Sequence, residues 1–149
     1  MLGFLWITVA GHLSDRIGRK NMYIIGCLFV AIFGFVYFAM LDSQVTALIF
    51  VAVDLSGLPI MTMYGPEAAL IAESFSPRLR YSGCSLGYQL ASIIAGGPSP
   101  FIATALLAAY HSSLPIALYI LGCAVVGIIA TPLLTDYTNR DISAEYERV

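Results

Sequence analysis

Apolar residues fill this chain in long uncharged blocks separated by short polar segments. Residues 21–41, NMYIIGCLFVAIFGFVYFAML, hold no charge and are long enough to cross roughly 30 Å of hydrocarbon as a helix. A second apolar block, 45–72, is interrupted by Asp54, Pro59, Pro66 and Glu67. From Tyr81 to Thr135 there is no Asp, Glu, Lys or Arg. At about 1.5 Å per residue that stretch is far too long for one crossing. The segment HSSLP at 111–115 supplies the break, polar residues followed by a proline suited to the first turn of a helix. The pattern predicts full spans at 21–41, 45–72, 81–109 and 114–134, with a tail at 135–149. Residues 1–11 are apolar over only half a span. No basic segment precedes them, so they predict a partial helix rather than a signal peptide.

Composition decides what covers these helices. The 149 residues are 59% hydrophobic and 11% charged, with a mean hydropathy of +0.86. A soluble domain carries about 25% charged residues, so this chain lacks the charge to clothe a water-facing surface, and lipid must take that place. The expected fold class is an all-α polytopic membrane protein, one partial and four full transmembrane helices with no soluble domain. The net charge of −2 implies no strongly charged partner, and no basic patch with interleaved aromatics points to nucleic acid. Cys27, Cys84 and Cys123 lie singly in apolar runs, where a thiol acts as a small hydrophobe, so neither a metal site nor another cofactor is expected. No GxSxG, HExxH or paired catalytic Asp motif appears, which argues against an enzyme.

The seven basic residues set the orientation. Arg16, Arg19 and Lys20 lie in the first loop, Arg78 and Arg80 in the third, Arg140 and Arg148 in the tail. The loops at 41–44 and 110–113 have none. Alternate loops are thus basic or wholly without basic residues, and the positive-inside rule places 11–20, 73–80 and the C-terminus in the cytoplasm.

Candidate chemistry lies inside the spans. A charge at bilayer depth costs at least about 2.5–3.5 kcal/mol, so Asp54 and Glu67 should face a cavity or a partner. Either they serve a substrate or proton path, or they are protonated carboxyls bonded between helices. Gly57, Pro59, Gly65 and Pro66 flank them and predict a bent or broken helix. In the next span Gly83, Gly87, Ala91 and Ala95 repeat every four residues, the small-residue stripe that lets helices pack closely in lipid. Ser85, Tyr88, Gln89 and Ser92 occupy the adjoining sector, as interhelical hydrogen bonders or as part of the transport path. Gly96, Gly97, Pro98 and Pro100 disrupt that span further along. His12 and His111 stand at span ends as interfacial residues, and Trp6 reads as a packing or interface anchor.

Residues 11–20, GHLSDRIGRK, resemble the G-x-L-x-D-R-x-G-R-R/K signature of the major facilitator superfamily, found there in a cytoplasmic loop between helices. Asp15 and Arg19 stand four apart, at pairing distance if the segment is helical. The stretch 63–107, beginning MYGPEAALIAESFSPRLR, is similar to helices 10 and 11 of the metabolite:proton symporter branch, with Glu67 where that branch usually has Gln. The resemblance implies a partial six-helix bundle, helices 8 to 12 of a transporter for small organic acids or zwitterions in the plasma (inner) membrane. It implies a truncated C-terminal fragment that acts with the missing N-terminal helices or a second copy, in contact with lipid, metabolite and protons. Tyr64, Glu67, Asp54, Tyr88 and Gln89 would line the substrate or proton path. Asp15, Arg16, Arg19, Glu73 and Arg80 would form a cytoplasmic gate, with Glu73 pairing Arg16 or Arg19 and Asp15 bonding the N-terminal end of a neighbouring helix. As exposed ion pairs these would contribute about 0–1 kcal/mol each. The rival expectation is a small membrane protein that assembles with or regulates a full-length transporter.

Overall fold

The computed structural model of the chain describes residues 2–75 and 79–134. Arg78 of the basic loop and the tail at 135–149 lie outside the described residues. The order is α1 (Leu2–Ile17), α2 (Arg19–Asp42), α3 (Thr46–Glu73), α4 (Arg80–Ala91), a π-helical turn (Ser92–Gly96), α5 (Ser99–Tyr110), α6 (Leu114–Ala130) and a 3-10 turn (Thr131–Leu133). Among the described residues, four spans are long and apolar enough to cross a membrane: Arg19–Asp42, Thr46–Glu73, Arg80–Tyr110 and Leu114–Leu133. No described residue is in a strand.

One boundary and one expected break differ from the sequence pattern. Helix α1 runs on through the signature to Ile17, because nothing in GHLSDRI interrupts helical hydrogen bonding. The turn shrinks to Gly18, whose φ of +101° is open to glycine and strained for other residues. Helix α3 is not broken: it stays continuous across Pro59 and Pro66. Both rings are buried, so packing against neighbouring helices compensates for the missing backbone donors.

Helices α1 and α3 run parallel in intimate contact. Gly3 faces Gly57, and Gly11 with Ala10 faces Gly65. A Cβ built on Gly65 would come within 3.2 Å of the Gly11 backbone nitrogen. The indole N–H of Trp6 donates to Thr62 Oγ1 at 2.8 Å across the same interface. On the other side of α3, Gly26 of α2 admits Met63, whose backbone nitrogen would stand 3.1 Å from a Cβ at that site. These close approaches rest on glycine because without a hydrophobic drive between helices, van der Waals contact must supply the association.

Helix α2 is laced to α6 along its length. Cys27, Ala31 and Ala124 form a small buried core, flanked by Tyr23, Met63 and Leu121. At one end Lys20 donates from Nζ to the Pro132 carbonyl at 3.2 Å. At the other, the Ser113 hydroxyl donates to the Asp42 carboxylate. The span from α4 to α5 differs: none of its residues is buried.

Candidate functional site

A cavity of about 430 Å³ opens between the end of α3 that carries Glu73 and the face of α4. Glu67, Ile71 and Phe75 come from α3 and the residues after it, Gly87, Tyr88, Ala91 and Ser92 from α4 and the π turn. Glu67 is half-buried and is the one charged side chain in that lining among the described residues. Tyr64, one turn before Glu67, places its hydroxyl 3.4 Å from that of Tyr88. The structure therefore gathers Tyr64, Glu67 and Tyr88.

Asp54 and Gln89 are placed elsewhere. Asp54 precedes Glu67 by 13 residues on one continuous helix, which separates them by about 20 Å along the axis. One ligand cannot touch both acids. Gln89 follows Tyr88 on an exposed face and does not line the cavity.

The π turn shapes the far wall. Gly97 N–H bonds the Ser92 carbonyl at 3.0 Å, five residues back, as a π turn requires. A Cβ on Gly97 would lie 2.8 Å from the Ile93 carbonyl oxygen, so glycine is needed there. Pro100 cannot donate to the Gly96 carbonyl, and the Ser99 hydroxyl does so instead at 2.7 Å.

The small-residue stripe divides. Gly83 meets the Phe75 ring, Gly87 has no neighbour within 4 Å, Ala91 lines the cavity, and Ala95 is exposed on the π turn. Among the described residues, the glycines that approach the backbone of a neighbouring helix sit in α1, α2 and α3 instead. Their signal was in the sequence: Gly3 and Gly11 have the same eight-residue spacing as Gly57 and Gly65.

The end of α3 is clasped by two arginines. Arg19 pairs with the Glu73 carboxylate and lies 3.4 Å from Asp15, four residues earlier. Arg80 donates from Nε to the Ala72 carbonyl at 3.1 Å. Cations there also favour the negative end of the α3 dipole. Of the two arginines that the resemblance offered to Glu73, the structure selects Arg19; Arg16 is exposed on the last turn of α1. Asp15 is exposed and pairs within its own segment. Glu73 is only 8% exposed, so its pair is not the solvated contact that the loop's polarity suggests. The axial rise puts Glu73 about 9 Å beyond Glu67 on α3, which sets the clasp beside the cavity mouth.

Comparison with known proteins gives the family. The profile of the Major Facilitator Superfamily matches residues 2–147. The chain is 31% identical to the shikimate transporter of Escherichia coli over 140 residues, 91% of this chain and 31% of that protein. It is 36% identical to the inner membrane metabolite transport protein YhjE of the same organism over 143 residues, 94% of this chain and 32% of YhjE. With the E. coli proline/betaine transporter it shares 27% over 143 residues, 95% of this chain and 28% of that transporter. The chain spans about a third of the length of the curated relatives it matches. No solved structure matches it. The relatives are transporters, not enzymes, and four apolar spans make this a multi-pass membrane protein. The chain belongs to the Major Facilitator Superfamily.

Proposed function

We propose that this bundle is one wall of a carrier that moves a small organic acid or zwitterionic metabolite across the inner membrane, coupled to protons. The facing wall comes from further helices of the same protein or from a second copy. The observation that carries this reading is the cavity: an acid-bearing, mostly apolar wall, in a chain whose relatives over nearly all its length are metabolite transporters. Carriers of this kind rock two helical bundles about a central site. The clasp of Arg19, Glu73 and Arg80 is the cytoplasmic gate. When it closes, it holds α1, α2 and α4 against the end of α3 and narrows the mouth beside Glu67.

A hybrid transporter tests the proposal. Residues 2–147 are set into the E. coli proline/betaine transporter in place of the segment they match. The hybrid should insert and take up betaine; full insertion with no uptake contradicts the proposal.

Orientation is tested separately. The basic loops should face the cytoplasm. A reporter fused after Val149 should be active there, and a cysteine introduced in place of Ser112 should react with an impermeant reagent from outside. The reverse labelling pattern would overturn this topology.

A further inference from the structure

We propose that the cavity beside Glu67 takes the cationic head of the transported molecule, an ammonium or quaternary ammonium group, which narrows the substrate to the zwitterions. This rests on the transport reading above and specifies what its site selects.

The charge balance of the cavity favours a cation. Among the described residues Glu67 is the one charged group lining it, and none of them forms an ion pair with Glu67. The sequence has no Lys or Arg between Lys20 and Arg78, nor from Tyr81 to Thr135. An anionic head placed there would meet a carboxylate of its own sign, a costly juxtaposition, while Arg19 and Arg80 at the end of α3 are engaged with Glu73 and the Ala72 carbonyl. A cationic head would supply the missing partner at bilayer depth.

Shape and lining extend the same conclusion. A proton alone needs no 430 Å³ of space. Ile71, Phe75 and Ala91 offer apolar surface suited to methyl groups, and Tyr88 adds an aromatic ring to the wall that bears the acid. Aromatic faces attract quaternary ammonium groups through the ring quadrupole. The contact between the Tyr64 and Tyr88 hydroxyls ties that ring to the turn of α3 that precedes Glu67. A mostly apolar pocket whose described lining carries one charge, two aromatic rings and the hydroxyls of Ser74, Tyr88 and Ser92 is the pattern of a small-ligand site with a few orienting polar groups.

The test compares choline with 3,3-dimethylbutan-1-ol, a neutral molecule of the same shape. The purified 149-residue chain in lipid nanodiscs is titrated with each, and binding is followed by ligand-observed NMR. Choline should bind about tenfold more tightly than the neutral isostere. Glu67→Gln should erase that preference. Tyr88→Phe, which keeps the ring, should retain choline binding, whereas Tyr88→Leu should weaken it severalfold. If Glu67→Gln fails to insert, the Tyr88 pair, on an exposed helix face, carries the test. Equal affinity for choline and its isostere, undiminished choline binding by Glu67→Gln, or no choline binding at all would overturn the proposal. Choline selectivity in the chain together with an inserted but inactive hybrid would remove the transport reading and leave this site standing. An active hybrid without choline selectivity would do the opposite.

Discussion

A Glu73→Arg substitution in the hybrid transporter is expected to lower uptake at least tenfold, and Arg19→Glu in the same molecule to restore much of it. Removing one partner of a fully buried ion pair costs about 3–5 kcal/mol, because the other charge is left uncompensated. An exposed pair contributes about 0–1 kcal/mol. The Arg19–Glu73 pair falls between: the Glu73 side chain is 7% exposed and that of Arg19 is 25% exposed. Asp15, 3.4 Å from Arg19, would still offer that guanidinium an acid when Glu73 is gone. A loss of about 1–3 kcal/mol follows, too small to unfold a bundle and large enough to invert two states lying a few kcal/mol apart. The reversal also sets a third guanidinium, at the end of α3, beside those of Arg19 and Arg80, so the gate repels itself. The swap restores one attraction at the same place. Uptake that is unchanged by the single reversal, or that fails to recover in the swap, would show that the pair does not gate.

The largest expected effect on stability is at glycines. Gly65→Leu and Gly26→Leu should each destabilise the isolated chain by about 1–3 kcal/mol or more, the range for overpacking a tight interior. At Gly65 the added side chain meets the Gly11 backbone at 3.2 Å, which cannot move without parting α1 from α3. At Gly26 the Met63 side chain can swing away, but its backbone nitrogen at 3.1 Å cannot. Gly87→Leu is the control: nothing lies within 4 Å of its Cβ position, so its cost should be near zero. Trp6 is the chain's single tryptophan and bridges α1 to α3 through Thr62. Its fluorescence during denaturation in mixed micelles therefore reports the interface directly for Gly65→Leu. Equal stability of the Gly65→Leu and Gly87→Leu chains would contradict the packing described.

The helical class was legible because charge-free blocks of span length have one physical solution in a bilayer, where the backbone must bond to itself. The family was legible because the order of Gly11, Asp15, Arg16, Gly18, Arg19 and Lys20 carries more information than their charge. Helical spacing put Tyr88 and Ser92 on one sector of this span, and both line the cavity; Gln89 fell in that sector by the same rule and does not. The rest depended on neighbours. Periodicity gives the faces of one helix but not which other helix meets them, so the glycine stripe on α4 read as an interface while the shared spacing of α1 and α3 went unused. The continuity of α3 through two prolines depends on packing that the proline positions do not reveal. The burial of Glu73 likewise depends on Arg19 reaching it from the start of α2, far earlier in the chain.

The claim that this bundle is the moving wall of a transport cavity is tested most directly by a Ser92→Cys substitution on the cavity-lining π turn. In the hybrid, with Cys27, Cys84 and Cys123 replaced by alanine and the host's cysteines removed, an impermeant maleimide is applied to each side of the membrane in turn. The introduced thiol should react from both faces, as a cavity that opened alternately to each would require. Adding Glu73→Arg should shift the reaction toward the cytoplasmic face, and Arg19→Glu should shift it back. Reaction from one face alone in every variant would contradict alternating access at this wall.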